Sequence, residues 1–366
     1  MNNNKKIALI AGGGTGGHLF PALSIGNELE KNKIKVEYIG SSYGVEKDLF
    51  KKLKIKHHLL NITGIQRNKS LKSIYINLLF PFRFIISYIQ SVLIIIKVKP
   101  SIIIGTGGYA SGIPLIAGIY LKVPTVIQDQ NSIPGLITKK LQNKVNKIYL
   151  GYEIANKIVN NNKTIITGNP IKPEIRKYNK EKSLLDLKLD PNKKTILILG
   201  GSQGASPINN YFTKNIEYYM KNDIQIIWQC GNYDFKELKG KINNKNIVLK
   251  SFISNMSQVY SASDIVISRA GAITISELTF MGKAMILIPY PQAAENHQNL
   301  NAIDICKNKA CIIVDQKELS TNIIDKHINT LFRDEEKIRE LEKNAKTLSK
   351  PNATKDIADN IMEIIK

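Results

Sequence analysis

The feature that most constrains this chain is a plan used twice. Lys6-IALIAGGGTGG-His18 reads as a buried strand, a glycine-rich turn and a helix start. Thr195-ILILGGSQG-Ala205 repeats it about half a chain later. A strand that runs through glycines into a helix is the opening unit of a Rossmann-like domain. Two such openings in 366 residues predict two α/β domains with parallel sheets.

The rest of the chain supports that division. Continuous Ile- and Val-rich runs predict strands at 6–11, 36–40, 101–105, 125–128 and 147–150, then at 195–200, 225–229, 246–249, 264–268, 285–289 and 311–314. Continuous rather than alternating apolar runs suit parallel strands buried on both faces. The boundary is expected at Gly168-Asn169-Pro170, before a Lys-rich, Pro-containing stretch. That predicts an N-terminal domain over 1–168 and a C-terminal domain over 169–350, with a last helix at 351–366 packing back on the first.

Net charge is the next constraint. Lys plus Arg number 52 against 30 acidic residues, a formal +22. Only six of the 52 are Arg. Nucleic-acid readers depend on Arg clusters interleaved with aromatics, so a basic nucleic-acid-binding module is the weaker reading. A Lys-studded surface, or a basic face that meets anionic lipid or phosphate, fits better. Three cysteines without a CxxC pair indicate neither a disulfide framework nor a zinc site. The N-terminus shows no signal-peptide pattern. The most apolar stretch, Ile74 to Ile96, is interrupted by Asn77, Pro81 and Arg83 and reads as non-spanning.

Five constellations can carry chemistry. Gly12 to Gly17 can cradle a phosphate against a helix N-terminus, with His18 in the first turn as a proton acceptor or donor. The second strand does not end in the acid that a dinucleotide ribose wants, and no GK[ST] follows, so neither a nicotinamide site nor a P-loop is expected. Gly200 to Ala205 offers the same phosphate geometry, with Ser202 adding a hydroxyl. Ser268 to Glu277 places Glu277 one turn inside a helix, where a carboxylate can accept both ribose hydroxyls. In the polar stretch after Pro289, His297 and Gln298 can bond a sugar or a diphosphate, and ligand spacing for a metal is lacking. Gly107, Gly108 and Tyr109 follow one strand, and Asp129 and Asn131 end the next, where either can orient an attacking hydroxyl.

GGGTGGHLFPA, GTGGYASG, QDQN, GNPI, GGSQGA, SRAGAITISE and NHQNLNA, in this order, resemble the MurG family, the bacterial enzymes that add N-acetylglucosamine to lipid I. The resemblance covers nearly the whole chain. It implies a GT-B fold, α/β with two Rossmann-like domains facing a central cleft, and an inverting transfer from UDP-N-acetylglucosamine to the C4 hydroxyl of muramic acid in lipid I. It implies no cofactor. Carried over by motif, the Ile253 backbone meets uracil, and Ala272, Ile273, Thr274, Ile275, Ser276 and Glu277 line the nucleoside. Ser202 and Gln298 contact the diphosphate and sugar, while Thr15, Gly16, Gly17 and Asn131 close the site. Lys172 stands where many relatives carry Arg after GNP-x, and it lacks the bidentate fork.

His18 is expected as the base, with Asp129 second. A lipid-linked acceptor further implies peripheral placement on the cytoplasmic side of the inner or plasma membrane, with anionic phospholipid and other cell-wall enzymes as partners and no nucleic acid. Leu78, Leu79, Phe80, Phe82, Phe84 and Ile85, beside Lys69, Lys72 and Arg83, form the candidate docking patch. Another GT-B glycolipid glycosyltransferase and a sugar-nucleotide epimerase remain open as alternatives.

Overall fold

A computed structural model describes residues 6–66, 70–159, 162–201 and 203–366. Lys69 and Ser202 therefore lie outside the described residues, as does the side chain of Lys72. The chain divides into two compact units, residues 1–172 with 350–366, and residues 173–349. Lys172 accordingly belongs to the first unit.

The first unit is built on a seven-stranded sheet of β1 (Ile7–Ala11), β2 (Lys35–Ser41), β3 (His57–Leu60), β4 (Ile102–Gly105), β5 (Thr125–Asp129), β6 (Lys147–Leu150) and β7 (Thr164–Ile166). Its spatial order is β3-β2-β1-β4-β5-β6-β7 and every pair is parallel. The chain reverses its direction of travel between β1 and β4, and a crevice opens at the carboxyl ends of those two strands. The glycine-rich turns at 12–17 and 105–108 leave the sheet at this point. The helix Gly16–Lys31 covers one face with Leu19, Ala22, Ile25 and Leu29. The last helix, Ala353–Ile364, joins the same apolar layer through Ile357, Ala358 and Ile361, and Tyr149 donates a 2.8 Å hydrogen bond to Asn360 Oδ1.

The second unit repeats the plan with β8 (Thr195–Leu199), β9 (Gln225–Gln229), β10 (Ile247–Lys250), β11 (Ile265–Ser268), β12 (Ala284–Leu287) and β13 (Ile312–Ile313). The order is β10-β9-β8-β11-β12-β13, again parallel throughout. The reversal now lies between β8 and β11. Trp228, Tyr219 and Phe212 fill the core beside Ile196, Ile198 and Ile265.

Two strands escape the sequence reading, and both are sheet edges. β3 opens with His57 and His58, and only Leu60 of its four residues is buried. β7 has three residues and none is buried. An edge strand needs no continuous apolar run, so the signal used for the inner strands is missing.

One helix presents its apolar side outward. Phe80–Val98 buries Ser87, Ser91, Ile95 and Val98 on the body of the first unit, and exposes Phe82, Ile85, Ile86, Ile89, Leu93 and Ile96. Among the described residues it is the one helix long and apolar enough to cross a membrane. The preceding helix, Leu71–Leu78, exposes Leu71, Ile74, Tyr75 and Leu78.

Candidate active site

In the first unit three loops converge on His18. It is the third residue of the helix Gly16–Lys31, which starts after Thr15. The Thr15 hydroxyl makes no capping bond and is exposed. Gly16 and Gly17 are the first two helical residues, so their amides belong to the unsatisfied first turn.

The His18 ring rests on the turn after β4. Thr106 Oγ1 donates to the His18 carbonyl at 2.8 Å. Gly107 and Gly108 have φ of +93° and +74°, and a Cβ on Gly107 would stand 2.5 Å from His18 Nδ1. Glycine is thus required here twice over, for backbone conformation and for the flat seat under an imidazole. Tyr109 opens the next helix, its ring against Gly14 and Gly64. Desolvation pushes its phenol pKa up.

The QDQN segment ties several loops together. Gln128 Nε2 donates to Asn169 Oδ1 at 3.1 Å, and Asn169 Nδ2 donates back to the Gln130 carbonyl at 3.0 Å. Asp129 is buried and accepts from its own loop, from Asn131 N at 3.3 Å, Gly135 N at 2.8 Å and Thr138 Oγ1 at 2.6 Å. A carboxylate with both oxygens engaged this way is a loop organiser and a weaker candidate base than His18. Gln130 places its amide tip 2.7 Å from His18 Nδ1.

One residue, Glu46, and one contact, that of Lys172 with Phe20, were invisible to motif reading. Glu46 is fully buried and ties the glycine loop to the end of β2, accepting from Gly14 N and Ser41 N at 2.8 Å each. Lys172 lays its ammonium 3.8 Å from the centroid of the Phe20 ring, one turn from the glycine loop.

In the second unit the site residues again leave the carboxyl ends of the strands. Gln229, at the end of β9, donates to Gly201 O at 2.8 Å and accepts from Ile253 N at 2.7 Å, so one side chain locks two loops. The Ile253 N–H is therefore occupied, and its carbonyl is the backbone group that remains for a ligand. The helix Ala272–Met281 carries Glu277 into the interior, where Tyr260 donates to Oε2 at 2.8 Å. Burial first and the Glu277 charge second push the Tyr260 phenol pKa far up, so it stays a donor. Ala272, Ile273 and Ile275 are buried, Thr274 is half-buried, and Ser276 Oγ donates back to Ala272 O at 2.9 Å.

Arg269 was not anticipated as a site residue. It is buried, donates to the carbonyls of Ile288 and Pro289 at 3.1 Å each and to Gln316 Oε1 at 2.5 Å, and stacks 5.5 Å from the Tyr290 centroid. Desolvation lowers its pKa to about 10. It thereby fixes the segment after β12, whose Tyr290 N donates to Gln298 Oε1 at 3.0 Å. His297 Nδ1 donates to Ala294 O at 2.7 Å, which holds the ring at the start of its helix.

Two family models match the chain. The glycosyltransferase family 28 N-terminal domain covers residues 8–150 and the family 28 C-terminal domain covers 195–361. The chain is 41% identical over 362 residues to the UDP-N-acetylglucosamine--N-acetylmuramyl-(pentapeptide) pyrophosphoryl-undecaprenol N-acetylglucosamine transferase of Flavobacterium psychrophilum, spanning 98% of this chain and 97% of the relative. It is 34% identical to the protein of that name from Halalkalibacterium halodurans, at 98% and 99% coverage.

The chain belongs to glycosyltransferase family 28. Within the family it groups with the MurG proteins, as the motif order indicates. The crystal structure of Acinetobacter baumannii MurG matches with a TM-score of 0.75 at 23% identity, over 98% of this chain and 99% of that one. A Staphylococcus aureus MnaA structure with UDP matches at 0.68 and 14% identity. These neighbours support the GT-B fold of family 28 members.

The candidate membrane patch divides when placed on the structure. Leu78, Phe82 and Ile85 are exposed. Phe80 and Phe84 turn inward against the core of the first unit, their centroids 6.2 Å apart, and Leu79 is half-buried. Arg83 lies 5.2 Å from the Tyr43 ring centroid and donates weakly to Thr63. The outward stripe instead continues to Ile86, Ile89, Leu93 and Ile96, beyond the span that the sequence reading chose.

Proposed function

We propose that this family 28 enzyme transfers N-acetylglucosamine from UDP-N-acetylglucosamine to the C4 hydroxyl of muramic acid in lipid I, forming lipid II. The observation that carries this reading is the relationship to transferases of that name over 98% of the chain. The site residues are compatible with it.

The second unit holds the donor. The Ile253 carbonyl accepts the uracil N–H, Glu277 is oriented by Tyr260 toward the ribose, and Gln298 with His297 meets the diphosphate and sugar. The first unit handles the acceptor. His18 takes the proton of the C4 hydroxyl as its oxygen attacks C1 of the donor sugar from the face opposite UDP. The C1–O bond to UDP breaks with its electron pair on the diphosphate, so the configuration at C1 inverts. Amides of the glycine-rich turns and the helix starts stabilise the charge that grows there. Lys172 is a point charge for acceptor phosphate, already held beside the glycine loop by Phe20.

The acceptor's lipid tail stays in a bilayer, so the enzyme works at a membrane surface. The helix Phe80–Val98 lies along that surface with its apolar stripe in the acyl boundary, while its serine-bearing face stays packed on the protein. Lys69 and Lys72 add attraction to anionic phospholipid on the cytoplasmic side.

Release of UDP tests the reading. Turnover of UDP-N-acetylglucosamine should appear only when a short-chain lipid I analogue is added. UDP release that ignores that acceptor and responds to diacylglycerol would transfer the chain to a glycolipid synthase role.

A further inference from the structure

Two polar groups stand within hydrogen-bond reach of His18 Nδ1, and their chemistry constrains the tautomer of the ring. The Thr106 carbonyl stands 3.2 Å away and can only accept, so a bond to it needs the proton on Nδ1. The Gln130 side chain stands 2.7 Å away, is 5% exposed, and can turn either end of its amide to the ring. With Nε2 inward, a donor faces a donor whenever Nδ1 bonds Thr106, and Gln130 Oε1 is buried with no hydrogen-bond partner. With Oε1 inward, Nδ1–H meets an acceptor on both sides. The glycine seat at 107 and 108 and the Asn169 bond to the Gln130 backbone keep ring and amide in this register.

We propose that Gln130 is a positioning residue which, with the Thr106 carbonyl, holds the His18 proton on Nδ1 and so leaves Nε2 as the proton-accepting nitrogen. The opposite tautomer, with Nδ1 accepting from Gln130 Nε2, puts the proton on the ring nitrogen that has to receive one. When Nε2 takes up the acceptor proton, the ring becomes an imidazolium, and the two oxygens facing Nδ1–H stabilise it. Asp129 beside Gln130, and Glu46 and Tyr109 of the adjoining loops, are titratable side chains near the pair, and Lys172 is a cation held against Phe20 of the His18 helix. This role rests on the reading of His18 as the base.

The test reads the imidazole directly in the full-length protein. Isotopically labelled histidine gives ring-nitrogen shifts that distinguish the tautomers, and His18 is assigned by its loss in His18→Ala. The expected result is a protonated Nδ1 and a bare Nε2. A bare Nδ1 overturns the proposal, whatever His18→Ala does to turnover. Unimpaired turnover in His18→Ala would instead remove the base reading and leave the tautomer result standing.

Two variants add a kinetic readout. Gln130→Met keeps length without an acceptor and should lower kcat about 10²-fold, with KM for the sugar nucleotide within about twofold. Gln130→Glu restores an acceptor and should recover most of that loss. Its acid limb in kcat/KM should move to higher pH, because a carboxylate beside an imidazolium raises the pKa of the ring. Equal loss in both variants, each folded by circular dichroism, contradicts the assignment.

Discussion

At the scale of single residues, the sequence offers two proton acceptors, His18 and Asp129, and their surroundings set them apart. Asp129 is a buried carboxylate bonded to Asn131, Gly135 and Thr138 of its own loop. His18 sits at a helix start with its ring on two glycines. His18→Ala should therefore lower kcat by about 10² or more, with little change in KM for the donor. Asp129→Asn should mainly lower thermal stability, because Asn keeps shape but loses charge-assisted bonds. Near-normal turnover in the His18 variant alongside a dead but folded Asp129 variant would reverse the two roles. The places of Glu277, Gln298 and the glycines, on the turns and helix starts that follow strands, were legible from spacing, and their proposed roles came from the motif resemblance. Their partners Gln130, Glu46, Tyr260, Gln229 and Arg269 were not, because each acts on a residue distant in sequence, and only packing brings the two together.

At the scale of elements, the inner strands were readable and the edges were not, since burial on both faces is what writes a continuous apolar run. The edge is held by charge instead. Glu37 in β2 is buried, and Lys56, His58 and Lys35 reach it at 2.8, 3.0 and 3.2 Å. Burial acts to raise its pKa, but the hydrogen bonds from Lys56, His58 and Lys35 outweigh it and hold the carboxyl at about 2, below its ordinary 4.5. A pKa depressed in the folded state contributes stability above the unfolded value, and that contribution is lost as pH falls from 4.5 towards 2. Glu37→Gln should lower Tm at neutral pH and flatten its fall across that window. A variant whose acid melting curve runs parallel to the parent's would show that the carboxylate carries no such linkage.

The helix Phe80–Val98 makes its own prediction. Phe82 and Ile86 are exposed on its outer stripe, so a Phe82→Glu/Ile86→Glu pair should leave the fold intact and release the protein from anionic vesicles. Sedimentation with vesicles before and after added salt checks this. Undiminished binding of the double variant would place the docking surface elsewhere. The sequence showed an apolar stretch here but not its orientation. Ser87 and Ser91, polar residues in an otherwise apolar run, are the residues that face the protein.

At the scale of the whole molecule, two glycine turns half a chain apart were enough to expect two parallel α/β sheets, and the strand orders show why. In each sheet the chain reverses between the first and fourth strands, β1 with β4 and β8 with β11, so both turns fall at a switch point where ligands gather. The sequence placed the division at 168, whereas the compact units divide after Lys172. GNP-x is part of the first unit because Asn169 bonds Gln128 and the Gln130 carbonyl. A Lys-rich, Pro-containing composition marks where a linker runs, but these side-chain bonds decide which unit owns its first residues.

The proposed activity is a transfer to one hydroxyl of one acceptor. The most direct measurement incubates the full-length protein with UDP-N-acetylglucosamine and a short-chain lipid I analogue, then determines mass and glycosidic linkage of the product. The expected product carries a single added N-acetylglucosamine, β-linked to the C4 oxygen of muramic acid. An unmodified lipid I analogue beside glycosylated diacylglycerol, or an α-linkage, would contradict it.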